Sequence, residues 1–195
     1  MKKIILASLV PVLMASTFSS FAEDVAPKVV TVNGGKINFT GSVVAAPCAV
    51  DTSTDGQNVV LGQVATNQLA AKGKTSTSVP FSIKLVGCDL SPAATDSTAT
   101  TNYTKADIKF TGSSIDSTTL ALSGDGAGED VAKNVGIEIL HANKAVAIDG
   151  TADALSQDLI AGTNDISLSA VYIATADGVT AGAANSSVDF QVTYE

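Results

Sequence analysis

Polar and apolar residues alternate along much of this chain, and the clearest alternation lies at its C-terminal end. There Val188, Phe190, Val192 and Tyr194 are separated by single polar residues. A period of two is typical of a half-buried β-strand, whose successive side chains point to opposite faces. Alternating or short apolar segments predict strands at residues 36–44, 58–64, 79–86, 106–111, 135–140, 145–148, 165–174 and 187–194.

Polar segments rich in Ser, Thr, Gly, Asp and Asn separate these strands, as at residues 91–102, 123–129 and 174–187. Residues 141–144 are typical of a hairpin turn, and only residues 67–72 favour a single helical turn. Many short strands joined by such turns predict an all-β sandwich. Because no internal repeat and no strong linker divides these strands, we expect them to form one domain.

The first residues have the features of a secretory signal peptide. Lys2 and Lys3 precede an apolar run, and small residues flank Phe21 before Glu23. The run is too short for a transmembrane helix, which needs about 20 apolar residues. We therefore expect residues 1–22 to be removed by cleavage after Ala22, which leaves 173 of the 195 residues in the exported protein.

The exported chain is acidic. The formal charge of the whole sequence is −8, and the loss of Lys2 and Lys3 with the signal peptide makes it −10. The sequence also contains no arginine. Because phosphate and anionic lipid are bound by basic surfaces, this composition excludes nucleic acid and disfavours an anionic membrane surface as partners.

Two cysteines, Cys48 and Cys88, remain in the exported chain. In an oxidising compartment we expect a disulfide between them, although two free buried thiols are the alternative. A zinc site is disfavoured, since His141 is the only histidine. The chain-entropy model assigns a loop of this size about 4 kcal/mol of stabilisation.

Motifs of catalysis or cofactor binding are incomplete. Gly73-Lys74-Thr75 lacks the upstream glycine of a phosphate-binding loop, because Gln68 occupies that position. His141 lies at a predicted turn and is interpreted as a solvated side chain, and the acidic segment 124–130 lacks the ligand spacing of a calcium loop. The sequence therefore predicts no enzyme, no catalytic residue, no cofactor and no metal site.

The two ends of the chain predict assembly. Residues 29–35 form a β-prone arm interrupted by Gly34 and Gly35, while the strand at 187–194 is the last segment of the sequence. We expect no later segment to cover the free edge of that strand. An exposed apolar edge promotes aggregation unless another strand covers it, so arm and strand suggest chains that complete one another.

Several segments, in the same order, closely resemble the major subunits (pilins) of type 1-like chaperone–usher fimbriae. The resemblance lies in Val32-Asn33-Gly34-Gly35-Lys36-Ile37-Asn38-Phe39-Thr40-Gly41-Ser42-Val43-Val44, Ala46-Pro47-Cys48-Ala49-Val50, Val59-Val60-Leu61-Gly62-Gln63-Val64, Phe81-Ser82-Ile83-Lys84-Leu85-Val86-Gly87-Cys88, Asn134-Val135-Gly136-Ile137-Glu138-Ile139-Leu140, Ala181-Gly182-Ala183-Ala184-Asn185 and the final Tyr194-Glu195. The arm is longer here at residues 23–28, which leaves its register open, and residues 91–102 are a polar insertion.

The resemblance implies an incomplete immunoglobulin-like sandwich that lacks its last strand and is completed by a donor strand from a neighbouring subunit. It implies three segments: a signal peptide at 1–22, a donor-strand arm at 23–35 and a pilin domain at 36–195. The implied partners are identical or homologous pilins in a head-to-tail polymer, a periplasmic chaperone and an outer-membrane usher. The implied location is the fimbrium, reached through the periplasm.

The resemblance also implies roles for residues at both ends. Val30, Val32 and Gly34 are expected to face the groove of the next subunit, with Gly34 where only a hydrogen side chain fits. The opposite register, which begins at Val29, is more polar. Val188, Phe190, Val192 and Tyr194 are expected to line the groove and to pair with the chaperone.

The function expected from this resemblance is that of a structural subunit of an adhesive fimbrial shaft. Export by chaperone and usher would be followed by polymerisation through donor-strand exchange. The alternatives are a minor adaptor or terminator subunit of the same fimbria and a freestanding secreted β-sandwich binding protein. The absence of tryptophan, which often stacks on sugar rings, disfavours a lectin.

Overall fold

A computed structural model of the chain describes residues 28–91, 102–124 and 130–195. The expected signal peptide lies outside these residues. By their contacts the residues divide into two units, Met1–Gly41 and Ser42–Glu195. In the first unit, residues 28–41 contain no helix or strand and are exposed. The second unit contains every strand of the described residues.

The described residues of the second unit form nine strands and one short 3₁₀ helix. The 3₁₀ helix is Thr66–Leu69, at the predicted helical turn. The strands are β1 (Ala49–Val50), β2 (Val79–Cys88), β3 (Lys105–Gly112), β4 (Thr119–Leu120), β5 (Val135–His141), β6 (Lys144–Ala145), β7 (Leu155–Asp158), β8 (Gly162–Ala174) and β9 (Val188–Tyr194).

The strands form two antiparallel sheets. The first has the order β1-β2-β8-β5-β4, with β6 paired to β5, and the second has the order β7-β3-β9. Side-chain burial alternates along β8: Ile166 and Leu168 point to the core, while Asp165 and Ser167 point outward. Both sheets contribute to one apolar core, whose fully enclosed members include Leu85, Ile108, Ile148 and Ile166. The prediction of an all-β sandwich is therefore confirmed.

The longer predicted strands are confirmed, since β2, β3, β5, β8 and β9 coincide with them. The predicted hairpin also forms between β5 and β6, with positive φ at Ala142 and Asn143, as primed turns require. Of the strand predicted at 145–148, only Ala145 belongs to a strand, as the last residue of β6. Strands β1 and β4 were not predicted because they have two residues each, and β7 because its sequence is mainly polar.

Two predicted strands are wrong. Residues 36–44 form no strand and are exposed along their whole length. Residues 58–64 are not assigned to a strand either, although Leu61 and Val64 pack against the core. The alternation at 36–44 and the short apolar run at 59–61 are both suited to a sheet, but a strand also needs a hydrogen-bonding neighbour. Neither segment finds one among the described residues.

Candidate assembly site

Strand β9 has one paired edge and one open edge. It pairs with β3 from Ala106↔Tyr194 to Gly112↔Val188, and no other strand of the described residues pairs with it. Val188, Phe190, Val192 and Tyr194 are half-buried against the core, while the residues between them are exposed. The prediction that these four side chains share one face is therefore confirmed, and β9 presents its backbone groups at the edge of the second sheet.

An unpaired segment, residues 58–64, contributes Gly62, Gln63 and Val64 to the wall of a cavity that the chain leading into β9 also lines. Leu61 and Val64 pack against the core, whereas Val60 is 72% exposed. No backbone hydrogen bond joins this segment to another described residue. The unit therefore has an unpaired segment at residues 58–64, of which Gly62, Gln63 and Val64 line the cavity, and an open edge along β9.

The cavity has a volume of about 620 Å³. Its walls come from the stretch around Val64 and Leu69, from Val135 and Tyr172, and from the chain that leads into β9. The hydroxyl of Tyr172 donates a hydrogen bond to the carbonyl of Ala184 across 3.0 Å, which holds that chain against the core. Asp130 is the only charged residue of the described part of the chain that lines the cavity.

The cavity wall at residues 179–185 is attached to residues 130–133 by backbone hydrogen bonds. The amide of Ala132 donates to Ala183 across 2.9 Å, and the amide of Ala183 donates to Asp130 across 2.8 Å. The two backbones approach so closely that a Cβ at Gly182 would overlap the main chain of Asp130 and Ala132. A glycine is therefore required here, and it keeps the wall in place.

The other end of β9 is tied to the disulfide. Cys48 and Cys88 are bonded to each other, as the sequence predicted, and both are buried. The hydroxyl of Tyr194 donates a hydrogen bond to the carbonyl of Cys48 across 3.3 Å. Burial also raises the pKa of Tyr194 above its ordinary value. The C-terminal end of the strand is thus anchored, whereas the chain that leads into its beginning lines the cavity.

The arm residues named by the sequence, Val30, Val32 and Gly34, lie in the first unit and are exposed. Apart from its two chain neighbours, no described residue has an atom within 4 Å of the position that a Cβ at Gly34 would take. The exposed apolar residues continue beyond the expected arm, since Ile37 is 78% and Phe39 is 90% exposed. The predicted arm and the residues that follow it therefore carry exposed apolar side chains.

No group of three or more acidic, cysteine or histidine residues among the described residues is arranged to hold a metal ion. His141 lies at the end of β5, where the hairpin begins. In the described ranges no helix has the length and apolar character needed to cross a membrane.

The chain is similar in sequence to known proteins along most of its length. The family model described as "Fimbrial protein" matches residues 37–195. The chain belongs to the fimbrial protein family. This fimbrial protein is 42% identical, over 188 residues, to the "Type-1 fimbrial protein, A chain" of Escherichia coli, covering 94% of this chain and 95% of the relative. It is 38% identical over 198 residues to "Long polar fimbria protein A" of Salmonella typhimurium, covering 100% and 98% of the two chains.

Solved structures agree with this membership. A chain from the structure of a chaperone–usher pilus is 27% identical, has a TM-score of 0.68, and covers 87% of this fimbrial protein and 100% of itself. The P pilus rod subunit PapA is 25% identical, with a TM-score of 0.58 and coverage of 77% and 100%. The expected fold, the incomplete sandwich of pilus rod subunits, is confirmed, and so is a structural role in the cell-surface fimbrium in place of enzymatic activity.

Sequence reasoning did not identify every part of the site. The residues of β9 and the disulfide were predicted, and their link through Tyr194 was not. The sequence predicts a strand at residues 58–64 and places residues 179–185 in the polar segment 174–187, but it assigns residues 131–133 to no element. The apolar residues Leu61 and Val64 were the only sequence signal for that side of the site, because the remaining walls consist largely of small residues.

Proposed function

We propose that this fimbrial protein forms the shaft by head-to-tail donor-strand exchange, in which the arm of one copy pairs with β9 of the next. The observation that carries the proposal is the unpaired β9 edge, with its half-buried apolar face, in a chain that also has an exposed alternating arm. A strand added to a sheet edge gains backbone hydrogen bonds, while its alternate side chains fill pockets. Contacts of this head-to-tail type do not close on themselves, so they produce a filament.

Similarity supports the shaft over a minor adaptor or terminator. One of the related structures is the rod subunit of the P pilus, and it matches along its whole length. Membership of the fimbrial family also disfavours a freestanding secreted binding protein. A shaft subunit needs both an arm and an acceptor, and this chain has a candidate for each.

Export requires a partner that covers the open site. Before polymerisation, β9 and the cavity would expose apolar surface and unpaired backbone groups, which promote aggregation. Donor-strand complementation between chaperone and pilin is a known example of strand addition, and we apply it here: a periplasmic chaperone pairs with β9, and an outer-membrane usher exchanges it for the next arm. The relative from a chaperone–usher pilus supports this route.

Two parts of the arm are candidates for the donor strand. This strand would occupy the groove, meaning the space along the open edge of β9 in the next copy. The sequence pattern assigns Val30, Val32 and Gly34 to it. The exposure of Ile37 and Phe39 favours a second assignment, residues 37–43, in which alternate positions are Ile, Phe, Gly and Val. These seven positions match the seven residues of β9, and they offer two side chains larger than valine for burial. We therefore extend the proposed arm from residues 23–35 to residue 43.

A pair of glycine variants distinguishes the assignments. Among the described residues, only the chain neighbours of Gly34 and Gly41 come within 4 Å of an added Cβ, so isoleucine at either position should leave the subunit intact. We expect Gly41→Ile to abolish fibres because its side chain would meet the groove of the next copy. We expect Gly34→Ile to assemble normally. Fibre length by electron microscopy and periplasmic subunit level by immunoblotting are the measurements.

The opposite result, in which only Gly34→Ile blocks assembly, would establish Val30, Val32 and Gly34 as the groove-facing residues. If both variants form fibres of normal length, the arm is not the donor strand. Ser42→Ala is the control, because it changes a neighbouring exposed residue without adding bulk.

A further inference from the structure

Tyr194 makes a contact that the other apolar residues on its face of β9 do not make. Its hydroxyl donates to the carbonyl of Cys48, which immediately precedes β1. Strand β1 is at the edge of the first sheet, and β9 is at the edge of the second. The hydrogen bond therefore joins the edges of the two sheets at one end of the sandwich.

The acceptor of this hydrogen bond is held firmly. Cys48 is 3% exposed and is bonded to Cys88, whose sulfur accepts a hydrogen bond from the buried amide of Asn164 across 3.3 Å. The neighbouring carbonyl of Pro47 accepts a hydrogen bond from the amide of Asp89 across 2.8 Å. Tyr194 is thus attached to a covalently and hydrogen-bonded anchor, whereas the chain at the start of β9 borders an open cavity.

We infer that Tyr194 is a positioning residue that closes one end of the groove and sets the register of the incoming strand. The inference rests on the proposed function. A slip of one residue would turn the apolar side chains of the arm to solvent, so alternation itself opposes it. A slip of two residues keeps the same face inward and must be opposed by something else. Here an incoming strand that slipped past Tyr194 would have to displace the tyrosine ring and break the hydrogen bond from its hydroxyl to the carbonyl of Cys48.

Cross-linking within assembled fibres tests the register. Gln191 is exposed on β9 and serves as the acceptor position after Gln191→Cys. The donor cysteine is placed at Lys36, Asn38 or Thr40, which alternate with the proposed inward residues. A short bismaleimide then joins neighbouring subunits, and the yields of the three pairs are compared on denaturing gels. With the native tyrosine, we expect one pair to dominate.

The variant Tyr194→Phe keeps the ring and removes the hydroxyl. The net contribution of one hydrogen bond changes an equilibrium constant by a factor of about 2 to 13. We therefore expect the cross-link yield of the cysteine pair displaced by two residues, as a share of the total, to rise about fivefold. Tyr103→Phe is the matched control, since it removes a tyrosine hydroxyl from a half-buried residue that lies neither in β9 nor in the cavity wall. Its cross-linking pattern should equal that of the native protein.

Two other outcomes overturn the inference. If fibres form and the pattern is unchanged in both Tyr194→Phe and Tyr194→Leu, Tyr194 does not set the register, while donor-strand exchange stands. If fibres with the native tyrosine give no cross-link for any donor position, the arm does not pair with β9 in this way, and the proposed donor segment fails together with the inference.

Discussion

The inner face of β9 can be tested by truncating its aromatic residue. Phe190 is half-buried and lies directly opposite Phe110, which is 2% exposed, in the register of β3 and β9. Gln191, the next residue, points to solvent opposite Lys109. The substitutions Phe190→Ala and Gln191→Ala therefore change adjacent positions of one strand on opposite faces.

The expected magnitude follows from burial. Full burial of a phenylalanine side chain contributes about 1.5–3 kcal/mol, of which a half-buried ring retains about half. Loss of the cross-strand aromatic pair adds about 0.5–1.5 kcal/mol. We expect Phe190→Ala to lower the free energy of unfolding by about 2 kcal/mol. A surface change such as Gln191→Ala should stay within about 0.5 kcal/mol.

Urea unfolding of the purified subunit, with the disulfide intact, measures this difference. For a domain with a denaturant dependence of about 2 kcal/mol per molar urea, Phe190→Ala should lower the unfolding midpoint by about 1 M. Gln191→Ala should leave the midpoint unchanged within error. Equal shifts in the two variants, or a larger shift for Gln191→Ala, would show that this face of β9 does not pack on the core as described.

Two further predictions concern the disulfide and a half-buried carboxyl. On the loop-entropy model, Cys88→Ser should destabilise the subunit by about 4 kcal/mol, as measured by urea unfolding. The native Cys48–Cys88 bond should resist reductant unless denaturant is added, because both cysteines are buried. Burial, with the nearby charge of Asp116, raises the pKa of Glu138 above its ordinary 4.5, so the native protein loses stability as the pH rises through the folded pKa. Glu138→Gln should therefore be more stable than the native protein at about pH 7 and equal to it at about pH 4; equal unfolding midpoints at both pH values would contradict this reasoning.

The sequence was sufficient to predict the faces of most strands. Alternation is a local property, and in β9 it assigned Val188, Phe190, Val192 and Tyr194 to one side before any partner strand was known. The disulfide was also predictable, because only two cysteines were available in an exported chain. Both conclusions depend on residue type and spacing alone.

Only the tertiary structure decided which alternating segments pair. Residues 36–44 and 58–64 have strand-like sequences, yet neither is paired, since a β-strand requires a neighbour whose identity is set far away in the chain. The contact between Tyr194 and Cys48 likewise joins residues 146 positions apart. Periodicity specifies which side of a strand is apolar, whereas hydrogen-bond partners, cavity walls and open edges arise only when distant segments meet.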